Sequence, residues 1–174
     1  IAWMGLPDQK EKYLERENGW VHTMTIPRIL ELNADNKLIQ KPIPELKSLR
    51  SEEIVHQNIK IDSEEIELAK IEGDSLELIV EFKNIDAEQF GLKLRTAADD
   101  SQKTAIFYDQ KTKKLIFDRS NSGKGENGIR SCLIENKGSL KLHFFVDTSS
   151  IELFVNDGQE VFTSRVYPQP ENKK

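Results

Sequence analysis

The stretch LKLHFFVDTSSIELFVNDGQEVFTSRVYP, Leu140 to Pro168, decides the fold class. Leu140, Leu142, Phe144 and Val146 alternate with Lys141, His143, Phe145 and Asp147, the period-2 pattern of a strand with one buried face. Asp147-Thr148-Ser149-Ser150 is a turn cluster, because short polar side chains bond their own backbone there. Ile151, Leu153 and Val155 line one face of the next strand. Asn156-Asp157-Gly158 then supplies residues that accept positive φ, as a tight hairpin needs. Val161 to Tyr167 returns along it, and Pro168, with no N–H to give, ends the pairing. The segment reads as a three-stranded meander.

Towards the N-terminus, strand candidates arrive at the nearly regular spacing of a two-sheet antiparallel β-sandwich. They are Ile54 to Ile61, the short Ile66 to Ile71, then Leu76, Leu78, Val80 and Phe82, and next Phe90, Leu92, Leu94 and Thr96. Thr104 to Tyr108 and Lys114 to Asp118 form a hairpin across the charged turn Asp109 to Lys113. A Gly/Ser/Asn loop, Ser120 to Gly128, leads into Ile129 to Ile134. The expected core holds Leu76, Leu78, Val80, Phe82, Leu92, Leu94, Leu140, Leu142, Phe144, Val146, Leu153 and Val155. Register is fixed by the same alternation, since a slip of one residue would bury Glu77, Lys93 and Lys141. Helix signals are thin: Ser63 offers an N-cap ahead of Glu64-Glu65-Ile66, but the run behind it is short.

Before residue 50 the character changes. Trp20 to Ile26 reads as a strand, interrupted by Pro27. Ile29 to Leu32, the turn Asn33-Ala34-Asp35-Asn36 and Lys37 to Lys41 make a hairpin. Pro42-Ile43-Pro44 is a stiff extended connector, and Pro44 to Arg50 accommodates one helical turn with Leu46 and Leu49 on one side. This gives an expected division into residues 1–38, a connector 39–50 and a sandwich 51–174. The chain opens Ile1-Ala2-Trp3-Met4-Gly5, apolar from the first residue and without an initiator Met, so it is expected to be cut from something longer.

With 174 residues the chain can build one ordinary core. Its charged share of 32% and apolar share of 37% suit sheets with one wet face. A formal charge of −5 and the lack of any Lys/Arg cluster argue against a nucleic-acid partner. No apolar run approaches the ~20 residues that span a bilayer. The single cysteine, Cys132, makes an internal disulfide impossible and fits a reducing compartment.

Sites of chemistry are sparse. His22, His56 and His143 lie in separate strand candidates without metal-ligand spacing, so neither metal nor cofactor is expected. Cys132 has no neighbour to lower its pKa and packs as a small hydrophobe. Gly123-Lys124-Gly125-Glu126-Asn127-Gly128 lacks the following helix of a phosphate cradle and reads as a hairpin loop. Glu77, Glu81 and Glu152 fall on alternating polar positions, where a solvated strand face is expected. Trp3 and Trp20 offer indole faces on which sugar CH groups stack, although two tryptophans in such a chain are more often core.

Several motifs, in order, span essentially the whole chain. Ile1-Ala2-Trp3-Met4-Gly5, Gly19-Trp20, Thr25-Ile26-Pro27-Arg28-Ile29-Leu30 and Lys41-Pro42-Ile43-Pro44-Glu45-Leu46 come first. Phe117-Asp118-Arg119-Ser120-Asn121-Ser122-Gly123, Val146 to Glu152, Val155 to Gly158 and Thr163-Ser164-Arg165-Val166-Tyr167-Pro168 follow. Together they resemble the C-terminal region of glycoside hydrolase family 32, the β-fructofuranosidases that include invertases and sucrose-6-phosphate hydrolases, with the bacterial sucrose-6-phosphate hydrolases nearest. One departure is Ile29, where the family's Leu-Pro-Arg-Glu-Leu segment has Glu.

The resemblance implies a five-bladed β-propeller carrying the active site, followed by a non-catalytic β-sandwich. Residues 1–38 would be the remnant of the last blade. The family's nucleophile motif Asn-Asp-Pro-Asn, its Arg-Asp-Pro and its acid/base Glu-Cys are all absent: Asn156-Asp157 is followed by Gly158, and Cys132 by contrast follows Ser131. A retaining glycosidase needs a nucleophile and a separate acid/base carboxyl, so the chain alone is expected to be inactive, with no catalytic residue. Its expected role is structural, within a cytoplasmic bacterial parent enzyme that cleaves the β-fructofuranosyl bond of sucrose or sucrose-6-phosphate. The expected partners are the propeller of the same chain and a second copy as a homodimer. Trp3 would line the parent's sugar pocket. The alternative is a lectin-type carbohydrate-binding sandwich, which fold alone leaves open. Phe144, Phe154 and Phe162, being in strands, are core by default.

Overall fold

The alternating segments become two four-stranded antiparallel sheets packed face to face. The structure is a computed structural model that describes residues 1–4, 14–62, 64–125, 127–135 and 138–174, the Trp3 side chain excepted. The first strands form two small hairpin-like pairs: β1 (Trp3–Met4) with β2 (Thr23–Met24), and β3 (Arg28–Leu32) with β4 (Leu38–Pro42). A 3-10 turn at Pro44–Leu49 follows, opened by the two prolines of the connector. The sandwich strands are β5 (Leu76–Lys83), β6 (Gln89–Leu94), β7 (Lys103–Asp109), β8 (Lys114–Asn121), β9 (Ile129–Leu133), β10 (Ser139–Asp147), β11 (Ser150–Val155) and β12 (Glu160–Arg165).

One sheet has the order β12-β11-β10-β5 and the other β6-β7-β8-β9. After β5 the chain crosses over, builds the second sheet as a meander, and returns at β10 to pair with β5. Leu142 stands opposite Val80 on one side and Val155 on the other, and Phe144 opposite Leu78 and Leu153. That register sends Leu140, Leu142, Phe144, Val146, Ile151, Leu153 and Val155 to the inner face, as the alternation requires, and leaves Phe145 and Phe154 on the outer one.

The core lies between the sheets. Leu140, Leu142, Phe144, Val146, Ile151, Leu153 and Val155 meet Leu94, Ile106, Tyr108, Leu115 and Phe117, with Ile134 and Val166 closing the ends. Phe117 stacks on Phe162 across the layers at 5.6 Å, and Phe90 contacts Phe82 at 4.9 Å and Tyr108 at 5.5 Å. The buried Tyr108 hydroxyl donates to the Ile134 carbonyl at 2.9 Å, which removes the cost of burying it. Of the expected core, Leu76, Leu78, Val80, Phe82 and Leu92 are only half-buried, because β5 and β6 are sheet edges.

Three expected elements are corrected. Residues 54–61 and 66–71 form no strand, and Ile54, Val55, Ile59, Ile61 and Ile66 are exposed. Ile54 and Val55 are adjacent, so a strand would split them between its faces, and Asn58 adopts a φ of 56° that no ladder accommodates. The strand expected over Trp20 to Ile26 is reduced to Thr23–Met24, since His22 has a φ of 68°. Ser63 lies outside the described residues, and residues 64–71 contain no helix. The polar tail, by contrast, is docked. The Lys173 and Lys174 carbonyls accept from Gly73 and Thr96 N–H at 2.7 and 2.8 Å, and the Asn172 carbonyl accepts from Arg95 Nε at 2.7 Å. Among the described residues no helix is long and apolar enough to cross a membrane.

Candidate functional site

A set of charged and aromatic side chains from residues 14–50 meets the outer face of the β12-β11-β10-β5 sheet along a seam. Glu152 sits mid-strand in β11, pointing away from the core between Phe145 and Thr163 of the neighbouring strands. It is buried (3% exposed), which corrects the expectation of a solvated strand face. Its Oε1 accepts the Ile26 N–H at 2.7 Å and its Oε2 pairs with Arg28 Nη2. Arg28 also donates to Thr163 Oγ1 at 2.6 Å and Gln40 Oε1 at 2.9 Å, and its guanidinium lies 5.1 Å from the Phe154 ring centroid. Phe154 is thus buried, as expected, but beneath Arg28 on the outer face rather than in the core.

A second buried pair closes the other end of the seam. Glu15, in the 3-10 turn Leu14–Asn18, pairs with Arg165 at the end of β12, both side chains 3% exposed. Tyr167 OH donates to the same Glu15 Oε1 at 2.8 Å, and Arg165 Nε donates to the Ser149 carbonyl at 3.0 Å. Trp20 and Tyr167 cover the Arg165 guanidinium at 5.6 and 5.4 Å. Trp20, 43% exposed, therefore serves as a lid on an ion pair. Desolvating these charges is tolerable because each is paired and hydrogen-bonded.

Turn chemistry supplies a third contact. Asn156 and Asp157 take φ of 47° and 58°, and Gly158 φ of 93°. The Gly158 carbonyl accepts the Gln40 N–H at 3.0 Å, and a Cβ on Gly158 would stand 1.9 Å from the Gln40 oxygen. Only glycine permits that approach. The Asp118-Arg119-Ser120-Asn121-Ser122-Gly123 loop braces the same strand end, with Arg119 Nη1 donating to the Arg165 carbonyl at 3.0 Å. Lys124 N–H adds a bond to the Tyr167 carbonyl at 3.0 Å.

Arg50 forms the fourth contact, a bidentate pair with Glu77 at 2.6 Å for both bonds, and His143 Nε2 lies 2.7 Å from Glu77 Oε1. His143, expected on the wet side, is half-buried between Phe145 and Phe154, with ring centroids at 4.8 and 6.2 Å. The bonds from Arg50 hold the Glu77 carboxyl below its ordinary range. Burial pushes the His143 pKa down, against the opposing pull of Glu77. Since the unfolded histidine titrates near 6.5, the unfolded state binds more protons just below that pH, and stability falls as pH drops. Chemical unfolding at pH 7.5 and 5.5 is expected to show a loss on acidification that His143→Gln reduces. An equal loss in both proteins would assign it elsewhere.

The remaining expected residues stay apart. His22, His56, His143 and Cys132 do not converge, and among the described residues no group of three or more His, Cys, Asp or Glu could hold a metal ion. Burial raises the half-buried Cys132 thiol to about 12, so it is a packing residue with little thiolate. Trp3 pairs through its backbone with Met24 in β1–β2, and its side chain lies outside the described residues. Glu15, Arg28, Glu152 and Arg165, the four that build the seam, carry no local sequence signal of burial. The family-like motifs that hold Arg28, Arg165 and, at its end, Glu152 mark their neighbourhood.

Residues 45–174 match the family described as glycosyl hydrolases family 32 C terminal, and residues 1–42 match the glycosyl hydrolases family 32 N-terminal domain. The sucrose-6-phosphate hydrolase of Zymomonas mobilis is 34% identical over 100% of this chain, and that of Staphylococcus xylosus 38% identical over 96%. The chain spans 34% and 33% of those two curated relatives' own length. Among solved structures, sucrose-6-phosphate hydrolase from Lactobacillus gasseri superposes with a TM-score of 0.77 at 29% identity, covering 98% of this chain and 34% of that one. The exo-inulinase of Aspergillus awamori, at 21% identity and a TM-score of 0.72 over 98% of this chain and 35% of that one, shares the fold. With its two sheets, its motif order and these matches in agreement, the chain belongs to glycosyl hydrolase family 32 and corresponds to the family's C-terminal region.

Proposed function

We propose that this chain is the non-catalytic C-terminal part of a longer bacterial β-fructofuranosidase of the sucrose-6-phosphate hydrolase type, and that it acts structurally. The carrying observation is the seam: two buried ion pairs, Arg28–Glu152 and Glu15–Arg165, bind the segment before residue 42 to the sandwich. In this reading residues 1–38 complete the last blade of an N-terminal propeller, 39–50 connect, and 51–174 form the supporting sandwich. The hydrolysis of sucrose or sucrose-6-phosphate by double displacement then belongs to carboxylates in the propeller, and the parent works in the cytoplasm. A lectin role finds less support. Phe144 is core, Phe154 lies under Arg28, and Phe162 stacks on Phe117, so none of the three offers an open sugar platform.

The purified 174-residue chain is expected to release no fructose from sucrose or sucrose-6-phosphate. Activity abolished by changing one of its own Asp or Glu residues would overturn the proposal. Trp3 is assigned to the wall of the parent's sugar pocket, where an indole stacks on a sugar face. In the longer enzyme, Trp3→Ala should lower kcat/KM by about tenfold, the worth of ~1.4 kcal/mol, with a smaller effect on thermal stability. Unchanged kinetics would return Trp3 to a packing role.

A further inference from the structure

We propose that Glu152 of the sandwich is a positioning residue for the parent's sugar pocket: through Ile26 and Thr25 it fixes where the strand carrying Trp3 lies. The carboxylate grips the N-terminal segment at two points, two residues apart. Its Oε1 accepts the Ile26 N–H at 2.7 Å and its Oε2 pairs with the Arg28 guanidinium. Pro27 stands between them with its φ locked, and a proline biases the residue before it to an extended backbone, so the doubly held stretch has little slack. Glu152 is itself fixed mid-strand in β11, between β10 and β12, and is 3% exposed. A group mounted on a paired strand is a more exact support than one on a loop.

One residue before Ile26 the grip reaches β1. Thr25 is buried, its N–H donates to the Ala2 carbonyl and its Oγ1 accepts the Ala2 N–H, both at 2.9 Å. Ala2 precedes Trp3, which stands opposite Met24 in the β1–β2 pair. That pair has two residues in each strand, too few to keep its place without outside support. Two hydrogen-bonded steps thus join a sandwich carboxylate to the backbone that carries Trp3. The catalytic consequence rests on the reading of Trp3 as pocket wall. In that reading the sandwich sets the geometry of a group that touches sugar, and small misplacements of such a group lower rates.

Amide hydrogen exchange of the 174-residue chain reads the position of the strand. The Thr25 amide, bonded to the Ala2 carbonyl, is expected to exchange at least about tenfold faster in Glu152→Ala, the worth of one charge-assisted hydrogen bond. Glu152→Gln, which keeps an oxygen for Ile26, should restore most of the protection. Leu142→Ala, destabilised in the core, should leave it unchanged, because so short a strand pair exchanges by local opening. In the longer enzyme, Glu152→Ala should lower kcat/KM for sucrose by about three- to tenfold, and by little further in a Trp3→Ala background, as two residues acting through one group require. Thr25→Val, which breaks the next link and leaves the Glu152–Arg28 pair in place, should give a similar fall, whereas Leu142→Ala assayed well below its unfolding temperature should keep full kcat/KM. Equal Thr25 exchange in Glu152→Ala and Leu142→Ala, full kcat/KM in Thr25→Val, or losses from Glu152→Ala and Trp3→Ala that multiply would overturn the proposal. Unchanged kinetics for Trp3→Ala would instead strike the pocket-wall reading, and the exchange result would still decide whether Glu152 positions the strand.

Discussion

Leu142→Ala is expected to lower the unfolding free energy by about 2–5 kcal/mol, whereas Lys141→Ala beside it should change it by less than about 0.5 kcal/mol. Leu142 is 0% exposed and sits at the middle of β10, between Val80 and Val155, with Ile106 and Leu115 in the facing sheet's part of the same core. Removing its side chain costs the transfer of the lost methyl groups and leaves a cavity that two hydrogen-bonded neighbours cannot close. Lys141 makes a 2.7 Å pair with Asp157, but at 40% and 69% side-chain exposure that pair is screened by water. Urea unfolding of the two variants checks both. Similar losses would mean the register of β10 is not the one described.

Glu152→Ala should be almost as damaging, at about 3 kcal/mol, the low end for removing one partner of a buried pair. Arg28 would be left largely out of water, with Thr163, Gln40 and the Phe154 ring as its remaining partners among the described residues, and the Ile26 N–H would lose its acceptor. Glu152→Gln keeps an acceptor for Ile26 and should cost less. Joint replacement of Arg28 and Glu152 by apolar residues of similar volume should recover much of the loss, because the desolvation of both charges disappears. A loss below about 0.5 kcal/mol for Glu152→Ala would put the pair among surface contacts and remove the main support for the seam.

The meander from Leu140 onwards, the β7–β8 hairpin and the β3–β4 hairpin were legible because alternation and turn residues are local signals. Residues 54–71 misled for the same reason. β-branched residues are frequent there, yet a ladder needs a partner strand, and the positive φ at Asn58 and Lys70 denies a continuous one. Trp20 looked like a core or sugar-stacking residue, but its neighbour in space is Arg165, 145 positions away. The Asp118-to-Gly123 motif was visible as a resemblance. Its physical role is visible only in the fold, where Gly123 passes so close to Tyr167 that a Cβ would stand 1.9 Å from its carbonyl oxygen.

The sequence by itself determined the all-β class, the inward faces of β5, β6, β10 and β11, the glycine turns and the family. It also shows that the three catalytic carboxylate motifs are absent. Those properties follow from period-2 patterning and short motifs, which act over a few residues. Tertiary structure alone decided that Glu152 and Glu15 are buried and that Arg28 and Arg165 are their partners. It likewise placed the Phe154 ring under a guanidinium. Whether a strand's outer face is wet depends on what a distant segment lays over it. A carboxylate reads the same in sequence whether water or an arginine from 124 residues away satisfies it.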